Sequence, residues 1–202
     1  ANDGAAGDVT IDFTFAPPLV ANIDRVLPAS QGRPASLVDR GSPTAAARDL
    51  AQFRQKYAKN RNDEPTQRLF SETSLYVTWD NHEVAANDQA ANLLAPIGRR
   101  AFFDYWPIRQ ELANVQRLYR SVGWGSLAEL FILDARQYRD RSAGTILGAA
   151  QMQWLLDALG NCTARFKFIC TSVPFTGASA DKWGGFPKDR EALLSAIKER
   201  QI

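Results

Sequence analysis

His82 is the only histidine in this 202-residue chain, and it stands within Trp79-Asp80-Asn81-His82-Glu83. Polar and ionisable side chains are crowded here into consecutive positions. The amide oxygen of Asn81 is a hard neutral donor of the kind that suits Ca²⁺, Mn²⁺ or iron. The imidazole of His82, with an ordinary pKa of about 6.5, can protonate a leaving oxygen or hold a phosphoryl oxygen. A solitary histidine often does no more than cap a strand end on a backbone carbonyl. With Asp80, Asn81 and Glu83 beside it, metal-assisted hydrolysis is the better reading.

The cluster follows Leu75-Tyr76-Val77-Thr78, so a strand is expected over 75–79, with the polar residues at its exit. In open α/β sheets, ligands bind outside the carboxyl ends of strands. Two more expected strands end in polar loops. The apolar run 130–133 leads into Asp134-Ala135-Arg136. The alternating run 165–170 leads into Thr171-Ser172-Val173-Pro174-Phe175 and then Asp181-Lys182-Trp183. Parallel neighbours would bring the three loops to one edge, where they would line one pocket. Asp134 and Arg136 alternate, so on a strand they would point the same way and form an ion pair. Arg136 also offers a planar fork that matches phosphate. Trp183 reads as a pocket wall or a hydrophobic plug, on a loop made mobile by Gly184-Gly185.

The remaining pattern supplies the scaffold. Residues 1–41 read as irregular, with one short element around 11–15. Ser42-Pro43 offers an N-cap and a proline at the first helical position. Ala46, Leu50, Phe53 and Tyr57 then predict a helix over 43–59. Further helices are expected over 64–71, 97–105, 148–159 and 188–200, with another turn or two over 108–115 and a strand over 117–124. Strands alternating with helices indicate α/β architecture.

Bulk properties narrow the function. With 45% apolar and 23% charged residues, the chain can bury one sizeable core. A net charge of +2 gives no argument for nucleic acid. The basic runs 54–61 and 136–141 read as solvated. Cys162 and Cys170 are separated by an extended stretch of about 16 Å, too far for an internal disulfide. No run of 18 or more apolar residues spans a membrane. The start Ala1-Asn2-Asp3-Gly4 lacks the features of a signal peptide and an initiator Met, which points to a processed or excised piece.

The blocks 75–84, 124–139, 153–156, 172–176 and 181–186, taken in order, resemble the alkaline phosphatase D family of metallophosphoesterases. The likeness runs over about residues 50–197. It implies an αββα sandwich with a mixed sheet and flanking helices, of which 42–202 would be a partial catalytic domain. It further implies an exported phosphohydrolase, periplasmic or extracellular, dependent on calcium and iron and using metal-activated water on phosphate monoesters and diesters. By this match Asn81 would ligate metal, and His82 would contact the phosphoryl group or protonate the leaving group. Asp80 and Asp134 would support the ligands from behind. The chain also departs from the family. Members commonly read Trp-Asp-Asp-His-Glu where Asn81 stands here. Their Gly-Asp-x-x-Tyr and Gly-Asp-x-His motifs have no counterpart, since Gly7-Asp8 is followed by Val9-Thr10-Ile11. Most metal ligands would then lie outside the chain, and the piece alone is expected to be inactive. The competing reading is a non-catalytic binding or scaffold module with a decayed site. A serine esterase is set aside, because Gly125-Ser126-Leu127 is not Gly-x-Ser-x-Gly.

Overall fold

The computed structural model describes residues 47–83, 93–177 and 179–202. The expectations for residues 1–41 and for Ser42-Pro43 lie outside them. Helix α1 runs Leu50–Arg61 and α2 runs Glu64–Glu72. Each is started by an aspartate: Asp49 accepts the Gln52 N–H at 2.9 Å, and Asp63 accepts the Thr66 N–H at 3.1 Å. The first helix therefore begins later than its apolar spacing predicts, because Asp49 is extended and caps it, leaving Ala47 and Arg48 outside. Helix α3 spans Ala95–Tyr105 with a proline in its first turn.

Residues 108–115 do not form the expected helical turns. A tight turn from Ile108 N–H to Trp106 O and a bridge between Glu111 and Asn114 replace them. Leu112 is 99% exposed, so a helix here would have had no surface on which to bury its apolar side.

Strands β1 (Arg120–Trp124), β2 (Ala128–Ile132) and β3 (Phe166–Cys170) form a mixed sheet in that order. Strands β1 and β2 are antiparallel, with Val122 opposite Leu130. The turn joining them places Gly125 at φ +56°, a conformation that favours glycine. Strands β2 and β3 are parallel, with Leu130 opposite Phe168. A parallel pair needs a crossover, and helix α4 (Gly148–Asn161) supplies it. Helix α5 (Pro187–Glu199) closes the chain.

Side chains alternate across the sheet. Phe131 and Ile169 face α4 and α5, where they join a core of Leu155, Leu159, Leu193, Trp183 and Phe186. The opposite face carries Val122, Leu130 and Phe168, which are only half-buried, and Trp124, which is 54% exposed. Among the described residues β2 is thus well covered on one face only. A second core joins α1 and α3 through Phe53, Tyr57, Ala101, Phe102, Leu118 and Trp79. Tyr57 stacks on Tyr105 with centroids 4.9 Å apart. No helix among the described residues is long and apolar enough to cross a membrane.

Helix α5 is fastened by Asp189, whose Oδ2 accepts the Thr145 hydroxyl at 2.7 Å and the Ile146 and Leu147 N–H groups at 2.9 and 3.2 Å. Asp189→Ala leaves these buried donors unsatisfied and should cost about 1–3 kcal/mol in urea denaturation. An unchanged midpoint would show that the residue does not anchor the helix.

Candidate active site

The strand expected over residues 75–79 is not formed: among the described residues they join no ladder. Side-chain bonds hold them instead. The Thr78 hydroxyl donates to Leu133 O at 2.8 Å, the Trp79 indole N–H to Asp134 Oδ1 at 2.8 Å, and the Arg120 guanidinium to Val77 O at 2.8 Å. Trp79 is fully buried against Phe102. These anchors deliver Asp80 to the end of β2.

A 3₁₀ turn, Asn81–Glu83, follows. Asp80 N–H donates to Glu83 Oε2 at 2.7 Å, so Glu83 closes the turn as the last residue of a capping box does. The structure places the His82 backbone in this turn, and the role expected of its side chain lies outside the described residues. Burial pushes the Glu83 carboxyl up to about 7, against the hydrogen bond from Asp80 N–H.

At the exit of β2, Asp134 is fully buried. Its Oδ1 accepts the Arg136 and Gln137 N–H groups at 3.0 and 2.9 Å, besides the Trp79 indole. Burial raises its pKa, opposed by these donors. The expected strand-face pairing of Asp134 with Arg136 is not the arrangement formed. The chain has already left the strand, and Arg136 directs its side chain elsewhere. Its Nε donates to Asp80 Oδ1 at 2.5 Å, and its two terminal nitrogens donate to Asp181 at 2.7 and 3.2 Å. Burial would weaken the Arg136 charge, but its hydrogen bonds to Asp181 and Asp80 keep its pKa above the ordinary value.

Asp181 also accepts from Arg139 Nη1 at 2.5 Å. Burial would raise its pKa, yet the bonds from Arg136 and Arg139 hold it below the usual carboxylate range. The basic run 136–141 is therefore not a solvated stretch. The side chains of Arg136 and Arg139 are 3% and 0% exposed, and only Arg141 reaches solvent substantially. A carboxylate more than 40 residues away and the Phe186 ring, 5.1 Å from Arg139, make this burial possible. Sequence reading undervalued Arg139, although its place three residues beyond Arg136, after an apolar strand, was the available signal.

The ends of segment 75–79, β2 and β3 thus meet through side-chain contacts. Asp80, Asp134, Arg136 and the Asn81 turn are brought together. Trp183 lies beneath them, fully buried against Phe175 and donating to the Thr171 hydroxyl at 3.3 Å. Gly185 serves close packing: a Cβ there would approach Ala180 O to 2.5 Å. A cleft of about 1320 Å³ opens elsewhere, between residues 73–77, 106–113 and β1. Cys162 and Cys170 are free thiols. Among the described residues no three His, Cys, Asp or Glu side chains form a metal cage. The Asp80 and Glu83 carboxylates are engaged by Arg136 and by Asp80 N–H.

Because the folded Glu83 pKa lies above its ordinary 4.5, the folded state binds a proton that the unfolded chain has released. Stability should be greatest at the acid end of this range and decline as pH rises from about 4.5 through 7, by about 1–3 kcal/mol. Denaturation at pH 5 and pH 8 measures the slope, and Glu83→Gln should flatten it. An equal slope in the variant would assign it to another group.

Comparison with known proteins places this junction in context. A family model described as PhoD-like phosphatase matches residues 28–202. Alkaline phosphatase D of Bacillus subtilis (strain 168) is 30% identical over 193 residues, covering 76% of this chain and 33% of that protein. A solved structure titled "Structure of PhoD" superposes with a TM-score of 0.70 at 27% identity, covering 84% of this chain and 41% of the other. The chain thus spans about a third of the curated relative. The fold is of the metallophosphoesterase type, and the chain belongs to the PhoD-like phosphatase family.

Proposed function

We propose that this chain is part of a metal-dependent phosphohydrolase that cleaves phosphate monoesters or diesters with water. The observation that carries the reading is the junction of three segment exits. There the Asn81 turn is tied through Asp80 to a buried guanidinium at the end of β2. Membership of a phosphatase family supports the reaction class.

In this reading Asn81 contributes one amide oxygen to the cations, calcium and iron by the family resemblance, with most ligands supplied from outside the described residues. When bound, such cations neutralise phosphoryl oxygens and acidify a water. The water oxygen attacks phosphorus in line, and the bond to the leaving oxygen breaks. His82 gives its proton to the leaving alkoxide, which departs as the alcohol. Arg136, its nitrogens engaged by Asp80 and Asp181, holds the Asn81 turn in position. Asp80 and Asp134 do not touch substrate. They hold the turn and the guanidinium in place, with the buried Trp183 supporting the loop that carries Asp181. A small phosphate ester is the substrate, and export to the periplasm or beyond is part of the proposal.

In the complete enzyme His82→Ala should lower kcat on p-nitrophenyl phosphate by about 10²–10⁴. Turnover equal to the parent would remove His82 from the mechanism. Chelation should abolish hydrolysis, and adding back calcium and iron should restore it. Activity that survives exhaustive chelation would contradict the metal dependence.

A further inference from the structure

We propose that Asp181 is a positioning residue for the Asn81–Glu83 turn, acting through Arg136 from a loop a hundred residues downstream. The catalytic part of this inference rests on the function proposed above, and the geometric part does not. One carboxylate serves two buried guanidiniums. Asp181 accepts from Arg136 at 2.7 and 3.2 Å and from Arg139 at 2.5 Å, while Arg139 also donates to the Asp181 carbonyl at 3.3 Å and to Ala135 O at 3.2 Å. Arg136 in turn holds Asp80 through Nε, and Asp80 N–H is clasped by Glu83. The route is a continuous series of charged and hydrogen-bonded contacts from Asp181 to the turn that displays Asn81.

The direction of influence follows from what is rigid. Asp181 sits on a loop pinned from beneath by the buried Trp183 and closed so tightly that Gly185 has no room for a Cβ against Ala180. The Asn81–Glu83 turn is a single 3₁₀ turn attached through Asp80. Loss of the Asp181 charge leaves the two guanidiniums, 3% and 0% exposed, with Asp80 as the remaining carboxylate on Arg136 among the described residues. Uncompensated buried charge is costly, so the guanidiniums must shift or draw in water, and Asp80 must follow. An exposed ion pair would have little such leverage. Asp181 is only 33% exposed and its two hydrogen-bonded arginines are buried, while Arg141, 3.8 Å away, is 40% exposed.

The test uses the complete enzyme with Asp181→Asn and Asp181→Glu, assayed on p-nitrophenyl phosphate well below the unfolding midpoint of each variant, together with amide hydrogen exchange. Asp181→Asn should lower kcat about 10–100-fold with KM nearly unchanged, the usual cost of a small misplacement of catalytic groups. It should also speed exchange at residues 80–83 by about 10-fold, without change in β2. Asp181→Glu, which keeps the charge, should restore part of both. Should Asp181→Asn not fold, Arg139→Lys should give the same pattern more weakly. Faster exchange confined to 179–186 with kcat intact would overturn the proposal. So would a loss of kcat that follows thermal stability and is not relieved by the glutamate. If the parent itself hydrolyses no phosphate ester, the function proposed above fails, while exchange at 80–83 still decides whether Asp181 positions the turn.

Discussion

The structure depends on burying the carboxylate of Asp134 with enough donors around it. The indole of Trp79 and the N–H groups of Arg136 and Gln137 converge on one oxygen. Gln151 of α4 clasps both the Asp134 N–H, at 2.8 Å, and its carbonyl, at 2.9 Å. An isolated carboxylate in such a place would be strongly disfavoured, so each donor is obligatory rather than decorative. Trp79 belongs to the helical core and Leu133 and Ala135 to the core beneath the sheet. The Asp134 cluster is thus where two apolar cores are joined through polar contacts.

From that joint the rest of the site follows outward. Trp79 fixes the position of Asp80, and Asp134 fixes the backbone that launches Arg136. The two side chains then meet because both stems are anchored on the same carboxylate. A second layer of charge, Asp181 between Arg136 and Arg139, balances the buried guanidiniums. Electrostatic attraction at these distances is strong only because water is kept away, and Trp183 and Phe186 provide that exclusion from below.

Much of the scaffold was legible along the chain because it is local. The apolar spacing that predicts α3, α4 and α5 and the alternation of β3 depend on neighbours a few residues away. The start of α1 at Leu50 is set by the extended backbone of Asp49, which apolar spacing does not reveal. The segment 75–79 has strand-forming residues, yet pairing is a property of two segments. The contacts that hold it run to Leu133 and Asp134, more than 50 residues distant. The meeting of loops was foreseeable from topology. The partners within it were not, since spacing shows which way a side chain points on one element and nothing of what arrives opposite. Arg136 and Arg139 illustrate the point: their composition suggests solvent, and their burial depends on Asp181.

The half-covered face of the sheet has a spectroscopic consequence. Trp79 and Trp183 are shielded from solvent, whereas Trp124 lies open beside the edge-on ring of Tyr76, 5.9 Å away. Indole emission shifts to the red in water, so a quencher such as acrylamide will first remove the long-wavelength part of the fluorescence. The molecule carries its own optical gauge of whatever comes to cover that face.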